Sequence, residues 1–161
     1  MHTITFTQFQ ATIRAKEKEL HKMLEIDLPK IIGKEAVDIF KENFATESWG
    51  RKKWKEVQRR KATWMRAGKE VPNPLTEAKR TRKILAGDTA NLKRSIIYDA
   101  EKGKVTISSN VVYAAVHNFG LRAGRGAGFT MPQRQFIGDN KELQKKIEEQ
   151  INNKLEKIFN S

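Results

Sequence analysis

The 161-residue chain contains no cysteine, only four prolines and only three histidines. Absence of cysteine excludes a disulfide scaffold, a thiolate metal site and a cysteine nucleophile, and fits a reducing compartment. No stretch approaches the ~20 apolar residues needed to span a bilayer. The opening MHTITFTQFQ lacks a basic region followed by an apolar run. The expectation is a soluble protein, intracellular when made, with no membrane partner. His2, His21 and His117 have no metal-ligand spacing, and carboxylates spaced as metal ligands are missing. No catalytic residue, metal or cofactor is assigned, and a hydrolase or nuclease ranks last among the functions considered.

What the chain has in excess is positive charge, with 32 Lys and Arg against 19 Asp and Glu and a net charge of +13. The excess is local. Residues 51–83 carry 13 basic and 3 acidic side chains, whereas residues 1–50 carry 7 and 8, and residues 84–161 carry 12 and 8. Such a concentration attracts nucleic acid or an acidic protein surface. Around it lie Trp49, Arg51, Lys52, Lys53, Trp54, Arg59 and Arg60. Cations among aromatic faces suit single-stranded nucleic acid, and Trp with Arg suits a protein-binding arm. A solvated charged face with its tryptophans in the core is the third reading. These residues, with Arg122 and Arg125 further on, are the candidate contacts to a partner or to DNA.

Hydrophobic spacing supplies the elements. Phe6, Phe9, Ile13, Leu20 and Leu24 form one stripe of an amphipathic helix. Asp27 can cap a second helix that carries Pro29 in its first turn and Leu28, Ile32, Ala36, Ile39, Phe40 and Phe44 on its apolar face. One long helix kinked near Pro29 fits equally. A short helix capped by Asn73, with Pro74 in first position, follows and ends before Gly87. Ser95–Tyr98 and Lys104–Ser108 read as a hairpin, Val105 and Ile107 alternating with polar neighbours. A helical turn over Val112–Phe119 stops at Gly120, and Phe129–Ile137 reads as extended. The last helix, capped by Asp139, aligns Leu143, Ile147, Ile151, Leu155 and Ile158.

The fold class expected is therefore α+β: a long N-terminal helix or helix pair, a small antiparallel sheet with a β-hairpin at about 95–108, and a C-terminal amphipathic helix packed on the sheet. One domain over 1–161 is expected, with 46–73 a basic, Trp-containing arm or loop and 121–128 a mobile glycine-rich loop. Gly120, Gly124, Gly126 and Gly128, interleaved with Arg122 and Arg125, read as a mobile loop in preference to a phosphate cradle, because no lysine-serine ending, preceding strand or following helix accompanies them. The arginines could still grip phosphates or acidic side chains on a partner.

Three short motifs occur in order after residue 85. Thr89, Ala90, Asn91 and Leu92 lead to Ser95; Tyr113 and Ala114 lead to His117 and Gly120; and Met131, Pro132, Arg134 and Phe136 follow the glycine loop. With the strand pair between them and a helix after them, they closely resemble the core of the phage virion-morphogenesis, or tail-completion, family of contractile-tailed and Mu-like phages. Ala90 stands where that family usually has glycine, which points to a helical turn there. The resemblance implies a structural, non-catalytic protein that acts late in assembly, at the head–tail neck or tail terminus. It implies neck or tail proteins as partners and a homo-oligomeric ring, six subunits being the expected number, around the DNA passage. It also implies a place in the virion after synthesis in the host cytoplasm.

Overall fold

A computed structural model describes residues 5–160; His2 lies outside them. The fold is α+β. In chain order come α1 (Phe6–Lys22), a π-helical turn (Met23–Asp27), α2 (Leu28–Thr46), β1 (Ser48–Trp49), β2 (Lys52–Lys53), a 3-10 turn (Gln58–Arg60), β3 (Thr63–Arg66), β4 (Lys69–Pro72) and α3 (Glu77–Thr81). Then follow α4 (Asn91–Arg94), β5 (Ile96–Glu101), β6 (Lys104–Ser109), α5 (Ala114–Phe119), β7 (Arg122–Ala123), β8 (Phe129–Thr130) and α6 (Lys141–Phe159). The strands pair two by two, β1 with β2, β3 with β4, β5 with β6 and β7 with β8. The chain divides into two compact units, one within residues 1–38, 98–107 and 140–161, the other within 39–97 and 108–139.

In the first unit Thr5 and Gln8 form a reciprocal capping box that starts α1. Helical structure then runs without a break through the π turn into α2. Proline at position 29 has no N–H to donate, and the turn ahead of it widens so that the Leu28 N–H reaches the Met23 carbonyl. Met23, Leu28, Ala36, Val37 and Ile158 are buried. α6 packs against α1, and the Lys16 ammonium donates to the Ile158 carbonyl. The α6 cap is Asn140, one residue beyond the expected Asp139, because its side-chain oxygen accepts from the amides of Glu142 and Leu143. No residue of α1 is buried; Phe6, Phe9 and Ile13 face solvent.

The second unit is built around Phe136, whose side chain is fully buried. Its ring lies 5.2 Å from that of Phe44, which meets Trp54 edge to face at 5.5 Å. Ile39, Phe40, Ile84, Leu92, Ile96 and Ala114 complete this core. Two short hairpins occupy much of 46–73, and neither shows in the hydrophobic periodicity, since strands of two and four residues are too short to display it. Residues 121–128 include β7 and most of the tip of the β7–β8 hairpin, where Arg122 pairs with Thr130 and Ala123 with Phe129. Regular extension stops at Thr130, short of the expected Ile137. Asn73 does not cap a helix: its Oδ1 accepts from the Leu75 amide and its Nδ2 donates to the carbonyls of Arg59 and Lys61, and α3 begins only after Thr76.

Candidate functional site

The three sequence motifs converge on one frame in the second unit. Leu92, Ser95, Ala114, Arg134 and Phe136 are all buried. The Ser95 and Ser109 hydroxyls share a 2.6 Å hydrogen bond, and Ser95 also donates to the Leu92 carbonyl at 2.8 Å. Gly120 ends α5 with φ of 68°, and a side chain there would press on the Met131 carbonyl and on Gln133. Tyr113 stands edge-on to His117 at 5.9 Å and remains half-exposed. Pro132 borders a shallow recess with Trp49, Trp54 and Lys52. Met131 is partly buried and its N–H donates to the Leu121 carbonyl.

The basic stretch splits into two chemistries. Arg60 meets Glu47 through both guanidinium ends, at 2.6 and 2.9 Å, and its Nη2 also donates to the Arg82 carbonyl. Arg59 donates through Nη2 to the carbonyls of Arg82 and Lys83 at 2.7 and 2.8 Å. Both arginines therefore tie the segment around residue 83 to the 3-10 turn. The Arg60 hydrogen bonds hold the Glu47 carboxyl below the usual carboxylate range, and Glu47 in turn raises Arg60. Arg51, Lys52 and Lys53 sit at the exposed β1–β2 hairpin, Lys53 also donating to the Thr46 carbonyl at 2.7 Å. Trp54 is buried with its indole N–H on the Gln135 carbonyl at 2.8 Å, which suits a packing role, while Trp49 is half-buried against Phe40. Arg122 and Arg125 are exposed on the β7–β8 hairpin, Arg122 donating to the Ala127 carbonyl.

A cleft of about 390 Å³ opens beside this frame, lined by Arg59, Arg82, Arg134 and His117 with Val57 and Leu85 among its apolar walls. Arg134 is buried and donates through Nε and Nη2 to the Lys55 carbonyl, while its amide holds the His117 carbonyl at 2.8 Å. Arg59 Nε and His117 Nδ1 are buried without a protein partner. Burial, then Arg134, pushes His117 below the ordinary histidine range; burial also lowers Arg59 and Arg134. Among the described residues no group of three or more His, Cys, Asp or Glu side chains is placed to hold a metal. None of their helices is long and apolar enough to cross a membrane.

Residues 50–156 match the phage virion morphogenesis family. The chain belongs to that family. It is 40% identical over 50 residues to the Mu-like prophage FluMu G protein 2 of Haemophilus influenzae, a match covering 31% of this chain and 36% of the relative. The chain thus spans about a third of the length of that curated relative. No solved structure matches it. Membership in the family assigns the chain to phage morphogenesis and bears out the resemblance carried by the motifs.

Two residues central to this family member's second unit escaped sequence reasoning. Asn118 accepts through Oδ1 from the amides of Phe136 and Ile137 and donates to the Ile137 carbonyl, joining the second motif to the third. Its place between His117 and Phe119 offered a faint signal, a small amide inside an apolar run. Glu47 binds Arg60 and the Ile84 amide, partners 13 and 37 residues away, and no local pattern announces it.

Proposed function

We propose that this protein is a structural component of the phage head–tail neck or tail terminus, completing the tail or joining it to the head through protein–protein contacts and without catalysis. The assembly is a homo-oligomeric ring, most simply of six subunits, held in the virion after synthesis in the host cytoplasm. One observation carries this reading: a row of large apolar side chains on α1, Phe6, Phe9 and Ile13, is 74%, 55% and 53% exposed. Their spacing of three and four places them on one helix face, and an apolar row of this size in solvent marks a surface that is covered on assembly. Phe119 and Phe129, 62% and 57% exposed in the second unit, supply a different apolar patch. A closed ring needs two unlike surfaces on each subunit.

The test is electron microscopy of particles made without this protein and complemented either with the intact chain or with a Phe6→Ser, Phe9→Ser, Ile13→Ser variant. Tailless heads beside free tails, rescued by the intact chain and not by the variant, are expected. Normal virions in the absence of the protein would overturn the assignment.

A second reading, contact with nucleic acid, draws support from Arg51, Lys52 and Lys53, all exposed on one hairpin, and from exposed Arg122 and Arg125. Affinity for DNA would then fall steeply with salt through counterion release. A flat salt response in a DNA retention assay removes this reading and leaves the basic hairpin to acidic neighbours in the particle.

A further inference from the structure

We propose that the cleft between the 3-10 turn, the 82–87 segment and α5 is a binding site for a carboxylate carried on an acidic peptide segment of a partner protein, flanked there by an apolar residue. No carboxylate lines the cleft, whereas three guanidinium groups and one imidazole do. Arg82 already meets Asp88 at the rim. Arg59 and His117 are different: Nε of one and Nδ1 of the other are buried with no protein acceptor or donor. The Arg59 Nε–H is thus a buried donor left without an acceptor, and a carboxylate oxygen reaching it from the cleft would satisfy it. The Arg59 guanidinium is immobilised by its two Nη2 bonds to the Arg82 and Lys83 carbonyls, so its Nε–H points in a set direction without further ordering cost.

The ligand class follows from shape and wall chemistry. A recess of about 390 Å³ admits a side chain with its neighbour and not a nucleic-acid duplex. Val57 and Leu85 give it an apolar side that a phosphodiester does not use and that an aliphatic residue beside the acid does. Two non-glycine residues of the wall and its flank take left-handed backbone, Leu85 with φ of 60° and nearby Ala90 with 51°. Non-glycine residues in this region are costly and cluster at ligand clamps. Arg59, read from sequence as one of several candidate contacts to a partner or to DNA, is thus a recognition residue with its Nε turned inward. The inference rests on the cleft's chemistry and holds wherever in the particle the protein sits.

The full-length protein, labelled with ¹⁵N, is titrated with a capped Leu-Glu-Leu peptide, its Leu-Gln-Leu counterpart, inorganic phosphate and a dinucleotide, while the Arg59 Nε–H and His117 ring resonances are followed directly. The acidic peptide is expected to shift both resonances saturably, and the glutamine peptide to bind at least tenfold more weakly, since a charge-assisted hydrogen bond is worth about 1.5–3 kcal/mol. Arg59→Gln should lower peptide affinity by a similar factor. Should that variant fail to fold, His117→Ala, which removes no hydrogen bond made by its ring nitrogen Nδ1, gives the same comparison. Equal shifts from both peptides, shifts from phosphate or the dinucleotide only, or no shift at either resonance would overturn the proposal.

Discussion

The Gly103 amide donates to the Glu25 carbonyl at 2.9 Å, and Glu25 is the residue four positions ahead of Pro29. In an unbroken helix that carbonyl would receive the N–H of residue 29, which proline lacks. The tip of the β5–β6 hairpin therefore supplies the donor the helix has lost. Lys102 adds its ammonium to the Glu25 carboxylate at 3.0 Å, with His21 at 2.9 Å on the same group. A proline that would otherwise leave an orphan acceptor becomes the docking point for a hairpin.

Replacing Gly103 tests that geometry. Its φ is 68° and a Cβ there would touch nothing within 4 Å, so Gly103→Ala adds backbone strain and no clash. The expected loss is about 1 kcal/mol, a fall in melting temperature of about 2–4 °C by circular dichroism. Pro29→Ala restores a competing N–H for Glu25, so the loss from Gly103→Ala should shrink in that background. Equal losses in both backgrounds would show that the hairpin contact does not depend on the proline.

Ala90 gives the opposite sign. It precedes α4 with φ of 51° and ψ of 31°, left-handed values at the position where the family motif carries glycine. An alanine there costs about 1–2 kcal/mol, more than the entropy glycine loses on folding. Ala90→Gly should stabilise the second unit by about 0.5–1 kcal/mol, read as a higher urea midpoint by tryptophan fluorescence. All three tryptophans, at 49, 54 and 64, lie in that unit. A lower midpoint would mean the turn relaxes differently from the backbone described.

Several features were legible because their signal is local. The α6 stripe from Leu143 to Ile158 spans about four turns, and Val105 with Ile107 alternate in burial with exposed neighbours as a period-2 strand requires. At Ala90 the substitution misleads: the residue keeps the left-handed backbone that glycine would take, and helix begins only at Asn91. The chemistry of 46–73 was not, because what distinguishes its residues lies elsewhere in the chain. Arg59 and Arg60 are adjacent and identical in type, yet one is closed by Glu47 and the other keeps a buried, unpartnered Nε. Trp54 likewise is a core residue through distant partners, its ring on Phe44 and its indole N–H on the carbonyl of Gln135, 81 residues away.

Glu47 and Arg60 predict an acid-side loss of stability. The folded-state Glu47 carboxyl is held below its unfolded value by Arg60, so its contribution is complete above about pH 4.3 and disappears as pH falls through the lower folded value. Arg60 stays charged throughout. Glu47→Gln leaves an amide facing the guanidinium and should cost about 1.5–3 kcal/mol at neutral pH while flattening the acid slope. An unchanged acid slope in urea titrations at several pH values would place the protonation elsewhere.

His117 predicts a separate, milder window. Burial and Arg134 depress its folded-state value, so the unfolded chain takes up the proton first. Stability is then full above about pH 6.5, falls as pH drops below that, and levels off beneath the folded value. His117→Gln should abolish this decline without altering the Glu47 region. The check is a pair of pH-dependent unfolding series, with the His117 ring titration followed by NMR.

Asn118 is where the frame should be most sensitive to a single atom group. Its carboxamide satisfies the amides of Phe136 and Ile137 at 2.9 and 3.0 Å and the Ile137 carbonyl at 3.1 Å, at a site where water has little access. Asn118→Ala leaves the Phe136 and Ile137 amides unpaired, and each orphan costs about 1–3 kcal/mol, so a total loss of about 3 kcal/mol is expected. Asn152→Ala on the exposed side of α6 is the control and should be neutral or slightly stabilising, since alanine is the better helix former. Because Phe136 is anchored through its own backbone to Asn118, the same variant should also raise hydrogen exchange at Phe136 and Ile137 specifically. A variant that unfolds as easily as the control while those two amides stay protected would show that Phe44 and Trp54 packing alone holds the third motif in place.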